Sequence, residues 1–258
     1  MPRASFKVAT YNIHKGLSPL NRKLIIHEVR ENLHGCDADI VFLQEVQGEH
    51  AGNEARFADW PEGTQHEHIA EGKFHDIVYG VNAEYGHGHH GNAILSAFPI
   101  HSWTNVDVSH HRFESRGHLM ARIEVPGMRE PVTCVCVHLG LFAVSRRVQI
   151  NKLVAFLHES IPAHGPLIVA GDFNDWLSRR SRISKKLYDE MGLVEAFEHA
   201  EGKPARSFPS VLPMLTLDRI YVRGLDIGAV ERLRGKRDGA RLKGLSDHVG
   251  LAVALSGK

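Results

Sequence analysis

Short apolar runs rich in β-branched residues alternate with longer amphipathic stretches along this 258-residue chain. Apolar runs of four to eight residues bounded by turn formers read as buried strands, whereas apolar positions three and four apart mark a helix face. Strands are predicted on that basis at residues 6–13, 39–45, 74–81, 92–97, 117–125, 131–138, 166–171, 216–222, 226–233 and 248–255. Helices are predicted at 21–34, where Leu24, Ile25, Val29 and Leu33 share a face, and at 143–160 and 181–191. So many strands against few helices do not follow the alternation of a doubly wound sheet. The pattern predicts an α/β fold of two packed sheets with helices outside. No linker, low-complexity tract or repeat divides the chain, so one domain over 1–258 is expected. Residues 48–72 read as a long polar loop with a helical turn near Glu54 to Phe57, and 109–116 as a second loop.

Several of the apolar runs end or begin on chemistry-bearing residues. The first strand ends in Asn12. Residues 40–44 deliver Glu45, and residues 166–171 deliver Asp172, followed by Phe173 and Asn174. His138 ends the run from Val132, Asp218 opens Ile220-Tyr221-Val222, and Asp247-His248 opens the last run. Carboxylates and carboxamides on rigid strand ends suit a hard divalent cation, which takes one or two carboxylates and leaves its other positions to water and phosphate. A carboxylate such as Asp218 accepting the Nδ1 proton of His248 would fix the tautomer and make the other ring nitrogen a base near neutral pH. Asp172 and Asn174, two apart in extended chain, would project to one side, and Gly171 would let backbone approach a ligand closely. Arg116 could clamp a phosphate bidentately. Each residue alone also has an ordinary structural role: an edge salt bridge for Glu45, an Asx-turn for Asp172 and Asn174, a satisfied core histidine for His138 or His248. Their recurrence at the same kind of place favours a shared site.

Composition narrows the partners. A net charge of +1 gives no general pull towards nucleic acid, so strong duplex DNA binding is not expected. Basic residues cluster at Arg179, Arg180, Arg182, Lys185 and Lys186, and again between 232 and 243; solvated faces are the favoured reading. Three cysteines give no disulfide framework, and Cys134 and Cys136 should share a buried face. The first residues read as a strand rather than a signal peptide, and no apolar run approaches the ~20 residues of a membrane span. A cytoplasmic monomer is expected. Glycines around His87, His89 and His90 favour a loop there over a structural zinc site.

Seven stretches resemble, in order, the endonuclease/exonuclease/phosphatase superfamily. They are Thr10-Tyr11-Asn12, Leu43-Gln44-Glu45-Val46, residues 91–96, His138-Leu139, Gly171-Asp172-Phe173-Asn174, residues 217–221 and Ser246-Asp247-His248. Arg146 and Gln149, following residues 138–141, are similar to an uncharacterised bacterial branch. The resemblance implies a four-layered α/β sandwich of two mixed sheets flanked by helices, with the site at one end. It implies Glu45 as ligand of Mg²⁺ or Mn²⁺, helped by Asn12 and Asp247. It implies His248, paired with Asp218, as activator of water or support for the phosphate. Asp172 would bind or deprotonate the nucleophile, while Asn174 and His138 hold phosphoryl oxygens. Arg116 matches more loosely a place where some members use arginine on the scissile phosphate. His138 and Asp172 both stand as candidate proton carriers. The expected activity is metal-dependent phosphoester hydrolysis, in particular of phosphodiesters. A DNA endonuclease or exonuclease of the same fold, and a non-catalytic binding protein that retains it, are the alternatives.

Overall fold

The computed structural model describes residues 4–111, 113–176, 181–233, 237–238, 241–242 and 245–258. The elements run β1 (Ser5–Asn12), α1 (Ile26–Gly35), β2 (Ile40–His50), α2 (Ala51–Arg56), α3 (Gln65–Ala70), β3 (Asp76–Tyr85), β4 (Gly88–Ser96), β5 (Ile100–Asp107), β6 (Gly117–Ile123) and β7 (Val132–His138). They continue with α4 (Ala143–Ser160), β8 (Leu167–Asp172), α5 (Arg182–Met191), β9 (Val194–Glu195), α6 (Ala196–Glu201), β10 (Asp218–Arg223), β11 (Leu225–Leu233), the short pair β12 (Arg237–Asp238) and β13 (Arg241–Leu242), and β14 (Gly250–Gly257).

Two six-stranded sheets result, ordered β11-β14-β1-β2-β4-β3 and β5-β6-β7-β8-β10-β9. Each is antiparallel except for one central parallel pair, β1 with β2 and β7 with β8. Parallel neighbours need a crossover. Here α1 supplies the first and α4 the second. Both sheets are therefore mixed and flanked by helices, as expected.

Strand alternation sorts each side chain to one of two cores. Phe6 and Val8 of β1, Ile40 and Phe42 of β2, Cys134 and Cys136 of β7, Ile168 and Ala170 of β8 and Ile220 of β10 all meet between the sheets. The intervening residues point outward. Tyr11, Val41 and Leu43 pack against Ile26, Val29 and Leu33 of α1. Val135, Val137 and Val169 pack against Leu153 and Leu157 of α4 and Leu187 of α5. Each such fully buried Leu, Ile or Phe stabilises the fold by about 1.5–3 kcal/mol.

Several boundaries differ from the sequence expectation, for identifiable reasons. β5 was not anticipated: it is an edge strand and largely exposed, so it lacks an apolar run. The predicted helix at 21–34 begins only at Ile26, because Leu17 and Leu24 bridge across a small irregular hairpin. Residues 48–72 are not one loop. β2 continues to His50, α2 follows, and α3 is fixed by a capping box between Thr64 and Glu67. His89 and His90 lie in β4 rather than in a loop. Arg179, Arg180 and residues 234–236, 239–240 and 243 of the basic clusters lie outside the described residues; Lys185 and Lys186 pair with Asp189 and Glu190 one turn on. No helix among the described residues is long and apolar enough to cross a membrane.

Two buried histidines away from the Asp172–Asp218–His248 group are expected to weaken the fold in acid. His66 stacks on Tyr79, and His118 is wholly buried with one ring nitrogen on the Gln149 carbonyl. Burial holds both near pKa 4, below the unfolded value near 6.5. The folded state then binds fewer protons than the unfolded one. Stability is complete above pH 6.5 and falls as pH drops through 4, by on the order of 3 kcal/mol for each histidine. Glu195, raised by burial to about 7, works the opposite way between pH 7 and 4.5 and offsets part of the loss. Urea midpoints at pH 7.5, 5.5 and 4 are expected to fall, and His118→Asn to flatten that slope. An unchanged slope in the variant would remove His118 from the account.

Candidate active site at the polar end of the inter-sheet core

The alternation that fills the core runs on past it. After Phe6 and Val8, the next inward positions of β1 are Thr10 and Asn12; after Cys134 and Cys136, β7 presents His138. After Ile168 and Ala170, β8 presents Asp172, and β10 begins with inward Asp218. At one end of the sandwich the filling thus changes from hydrocarbon to polar groups. The layer beneath is already polar and joins the sheets, with Gln44 Nε2 donating to Cys136 Sγ at 3.2 Å and to Thr10 Oγ1 at 3.2 Å.

Glu45 breaks the alternation in order to face this site. By parity it would point outward with Leu43. Instead β2 shifts register against β4 between Leu43 and Val46, and Glu45 adopts φ +55°. A bulge with a left-handed residue re-aims one side chain at a cost of about 1 kcal/mol. Asn12 receives it: Asn12 Nδ2 donates to Glu45 Oε1 at 3.3 Å and to Asp172 Oδ2 at 3.1 Å, tying the two sheets together. Asn12 Oδ1 accepts the His14 backbone N–H at 3.1 Å, so the carboxamide positions Glu45 through nitrogen, and ligation through its oxygen requires the amide to flip.

His14 was not singled out in the sequence, although it lies two residues beyond Asn12. Its Nδ1 sits 3.3 Å from Asp247 Oδ2 and 4.0 Å from Glu45 Oε2. His14 and Lys15 both take positive φ, which curls the chain back over the end of β1. Ser246, which the sequence named in a matching stretch without a role, fixes Asp247 and His248: its hydroxyl lies 2.7 Å from the Asn12 carbonyl and 3.1 Å from Asp247 Oδ1, and the His248 N–H reaches its oxygen at 3.2 Å.

Between the sheets, His248 Nδ1, just ahead of β14 of the first, meets Asp218 Oδ2 of the second at 2.8 Å, as the sequence pairing predicts. Its Nε2 faces Asp172 Oδ2 at 3.8 Å, and His138 Nε2 faces the same oxygen at 3.6 Å. Burial disfavours charge on His248, yet Asp218, Asp172 and Asp247 together raise its pKa, so the imidazolium is the favoured form. This differs from the neutral-pH base that the sequence suggested, because three carboxylates surround the ring. His138 goes the other way: burial, then the charges of Arg116 and His248, hold it neutral. Burial raises the Asp172 carboxyl against the pull of His248.

β8 ends at Asp172, and the chain turns at Phe173-Asn174 rather than continuing as a strand. Asn174 has φ +49°, its N–H donates to Asp172 Oδ1 at 2.8 Å, and its side-chain amide donates to the Leu139 carbonyl at 2.9 Å. The Asp172 carboxylate thus closes an Asx-type turn on the Asn174 backbone, while the Asn174 side chain is spent on Leu139. Gly171 serves strand packing: a Cβ there would lie 1.9 Å from the Val137 carbonyl oxygen. Arg116 donates to the Ser115 carbonyl at 3.0 Å, while its Nε is buried without a partner. Glu114, its neighbour, is engaged by Gln149 at 2.9 Å.

The donor chemistry fits a hard divalent cation. Glu45 and Asp172 converge on one amide nitrogen and Glu45 and Asp247 on one imidazole, a crowding of carboxylates that a cation would relieve. One oxygen of Asp218, Oδ1, is also buried without a hydrogen-bond partner. Asp172, Asp218 and His248 also lie within 4.8 Å of one another, but the His248–Asp218 hydrogen bond occupies Nδ1, which makes that group a relay before a ligand set.

Comparisons with known proteins bear on the fold and the family. The chain is 41% identical over 251 residues to the uncharacterised protein YbhP of Escherichia coli K12, covering 97% of this chain and 96% of that one. Among solved structures, a functionally unknown conserved protein from Enterococcus faecalis superposes with a TM-score of 0.76 at 19% identity, covering 98% of this chain and all of that one. Truncated TDP2 of Caenorhabditis elegans superposes with a TM-score of 0.67 at 18% identity, covering 98% of each chain. The family model described as Endonuclease/Exonuclease/phosphatase matches residues 9–248, from β1 to His248. The family's members are generally metal-dependent hydrolases of phosphoester bonds, and this chain belongs to the Endonuclease/Exonuclease/phosphatase family.

Proposed function

We propose that this protein is a divalent-metal-dependent phosphoester hydrolase acting on phosphodiesters. The observation that carries the reading is the bond from Asn12 to both Glu45 and Asp172, which brings Glu45 of one sheet, with Asp247 and His248 just ahead of β14 in that same sheet, against Asp172, Asp218 and His138 of the other. Glu45 and Asp247 would hold Mg²⁺ or Mn²⁺, with Asn12 holding Glu45 in place. The cation would supply Lewis-acid polarisation of the phosphoryl oxygen and offset charge on the leaving group. Asp172, facing both imidazoles, takes the proton of the attacking water. His248, held by Asp218 and carrying positive charge, donates to a phosphoryl oxygen and steadies the negative charge that builds there. His138 and Asn174 border the same space, and Arg116 offers its guanidinium to the phosphate.

Bis-p-nitrophenyl phosphate is expected to be turned over with Mg²⁺ or Mn²⁺, and EDTA to stop the reaction reversibly. Silence with both metals, across abasic duplex, RNA and inositol phosphates as well, would leave the non-catalytic binding role in its place. Duplex DNA should bind weakly, with few phosphate contacts and a shallow dependence on salt. Tight binding with a steep slope favours the nuclease reading instead.

A further inference from the structure

Thirteen large hydrophobic side chains are exposed among the described residues, and their placement is uneven. Nine of them sit on connections that leave or enter the site-bearing strand ends. Leu20 follows β1, Phe113 precedes β6, and Leu141, Phe142 and Val144 follow β7. Trp176 follows β8, while Val211, Leu212 and Met214 precede β10. None lies on the described connections at the opposite end, residues 36–39, 97–99, 124–131, 161–166 and 192–193. Nor are these marginal exposures: Phe113, Phe142 and Val211 are 80%, 68% and 72% exposed. Exposed apolar side chains are ordinary when scattered, but five separate loops presenting them round one mouth mark an interaction surface.

Charge on the same loops is one-sided. Lys15, Arg22 and Lys23 flank Leu20, Arg116 follows Phe113, Arg147 follows Phe142, and Arg182 lies beyond Trp176; Arg146 is buried and spent on the Gly140 and Leu141 carbonyls. Two carboxylates oppose them among the described residues of these loops, and both are engaged, Glu114 by Gln149 and Asp175 by the Ser181 hydroxyl. The connection that leaves β2, residues 51–75, is acidic instead, with Glu54, Asp59, Glu62, Glu67 and Glu71 against Arg56 and Lys73, so the cationic excess is confined to the five loops with apolar tips. Apolar tips rimmed by cations fit the boundary of an anionic bilayer, where side chains enter the headgroup region and each Lys or Arg near the surface adds its own attraction. A second copy of the chain would set one cationic rim against another. A nucleic acid strand could stack on Phe113, Phe142 and Trp176, but six of the nine tips, Leu20, Leu141, Val144, Val211, Leu212 and Met214, are aliphatic and offer it no platform, whereas a bilayer takes both kinds.

We propose that the site-bearing end docks on an anionic lipid bilayer, so that the phosphoester reaching the site is one presented by that surface. The second half rests on the hydrolase reading; the docking does not. Co-flotation with vesicles of phosphatidylcholine alone and of phosphatidylcholine mixed with phosphatidylglycerol separates the two. Wild-type protein is expected to float with the mixed vesicles, less so as salt rises, and weakly with the neutral ones. The double substitution Phe142→Glu, Leu212→Glu is expected to cut flotation about tenfold or more. Its urea midpoint and its turnover of bis-p-nitrophenyl phosphate should hold, because both side chains are exposed. Failure to float with mixed vesicles, flotation undiminished in the double variant, or preference for single-stranded DNA over vesicles would each overturn the docking. Protein that floats but never turns over a phosphoester keeps the docking and sinks the hydrolase reading.

Discussion

Glu45→Gln is expected to lower turnover at limiting Mg²⁺ by about a thousandfold, the equivalent of the several kcal/mol that a bound cation contributes to the transition state. The carboxylate is singled out because the chain distorts to present it: β2 bulges and Glu45 sits at φ +55°, with Asn12 at 3.3 Å. Backbone strain of this kind belongs to the site and not to the fold, which sharpens the test. Glu45→Gly should relax the left-handed residue and lessen the repulsion with Asp247. It should raise stability by about 1 kcal/mol while turnover disappears. Isothermal titration with Mg²⁺ and a urea midpoint check the two halves. Undiminished metal binding in Glu45→Gln would remove Glu45 as the principal ligand.

The pair Asp218 and His248 is expected to act as a unit. His248→Ala and Asp218→Asn should each cost about 10²–10⁴-fold in kcat, the range of a positioned proton donor or acceptor. The double variant should be little worse than either single one, because removing one partner already disables the other. The 2.8 Å contact and the burial of both side chains motivate this. Asp218→Asn should also lower the His248 pKa, since its carboxylate is foremost among the charges that raise it. NMR titration of the ring reads this directly, and fully multiplicative losses in kcat would show two independent residues.

The central strands were legible in the sequence because β1, β2, β7, β8 and β10 are buried on both faces and read as unbroken apolar runs. Their terminal polar residues stood out for the same reason. β5 was not legible, because an exposed edge strand has neither alternation nor an apolar run. α3 left a fainter trace, the Thr64 and Glu67 capping box inside an otherwise polar stretch. Glu45 read as the end of a strand, whereas β2 runs on to His50; strict alternation would have turned it outward, and only the bulge inside the strand brings it in. His14 and the role of Ser246 were missed because their importance lies in contacts across more than 200 residues of chain, His14 to Asp247 and Ser246 to Asn12, and no local pattern encodes them. The orientation of Asn174 likewise depends on a turn in which Asp172 is its partner.

The division of the site between two sheets has a mechanical consequence. Asn12 and Glu45 ride on one sheet, Asp172, Asp218 and His138 on the other, and what sets the gap between them is the thickness of the hydrocarbon filling, from Phe42 and Ile94 to Cys136 and Ile168. Close-packed interiors resist compression and pass a misfit along instead of absorbing it. A displacement near 1 Å at the reacting groups can cost about a hundredfold in rate. The core therefore works as a spacer gauge for the chemistry at its end, and side-chain volumes well away from any polar group set how accurately the two halves of the site meet.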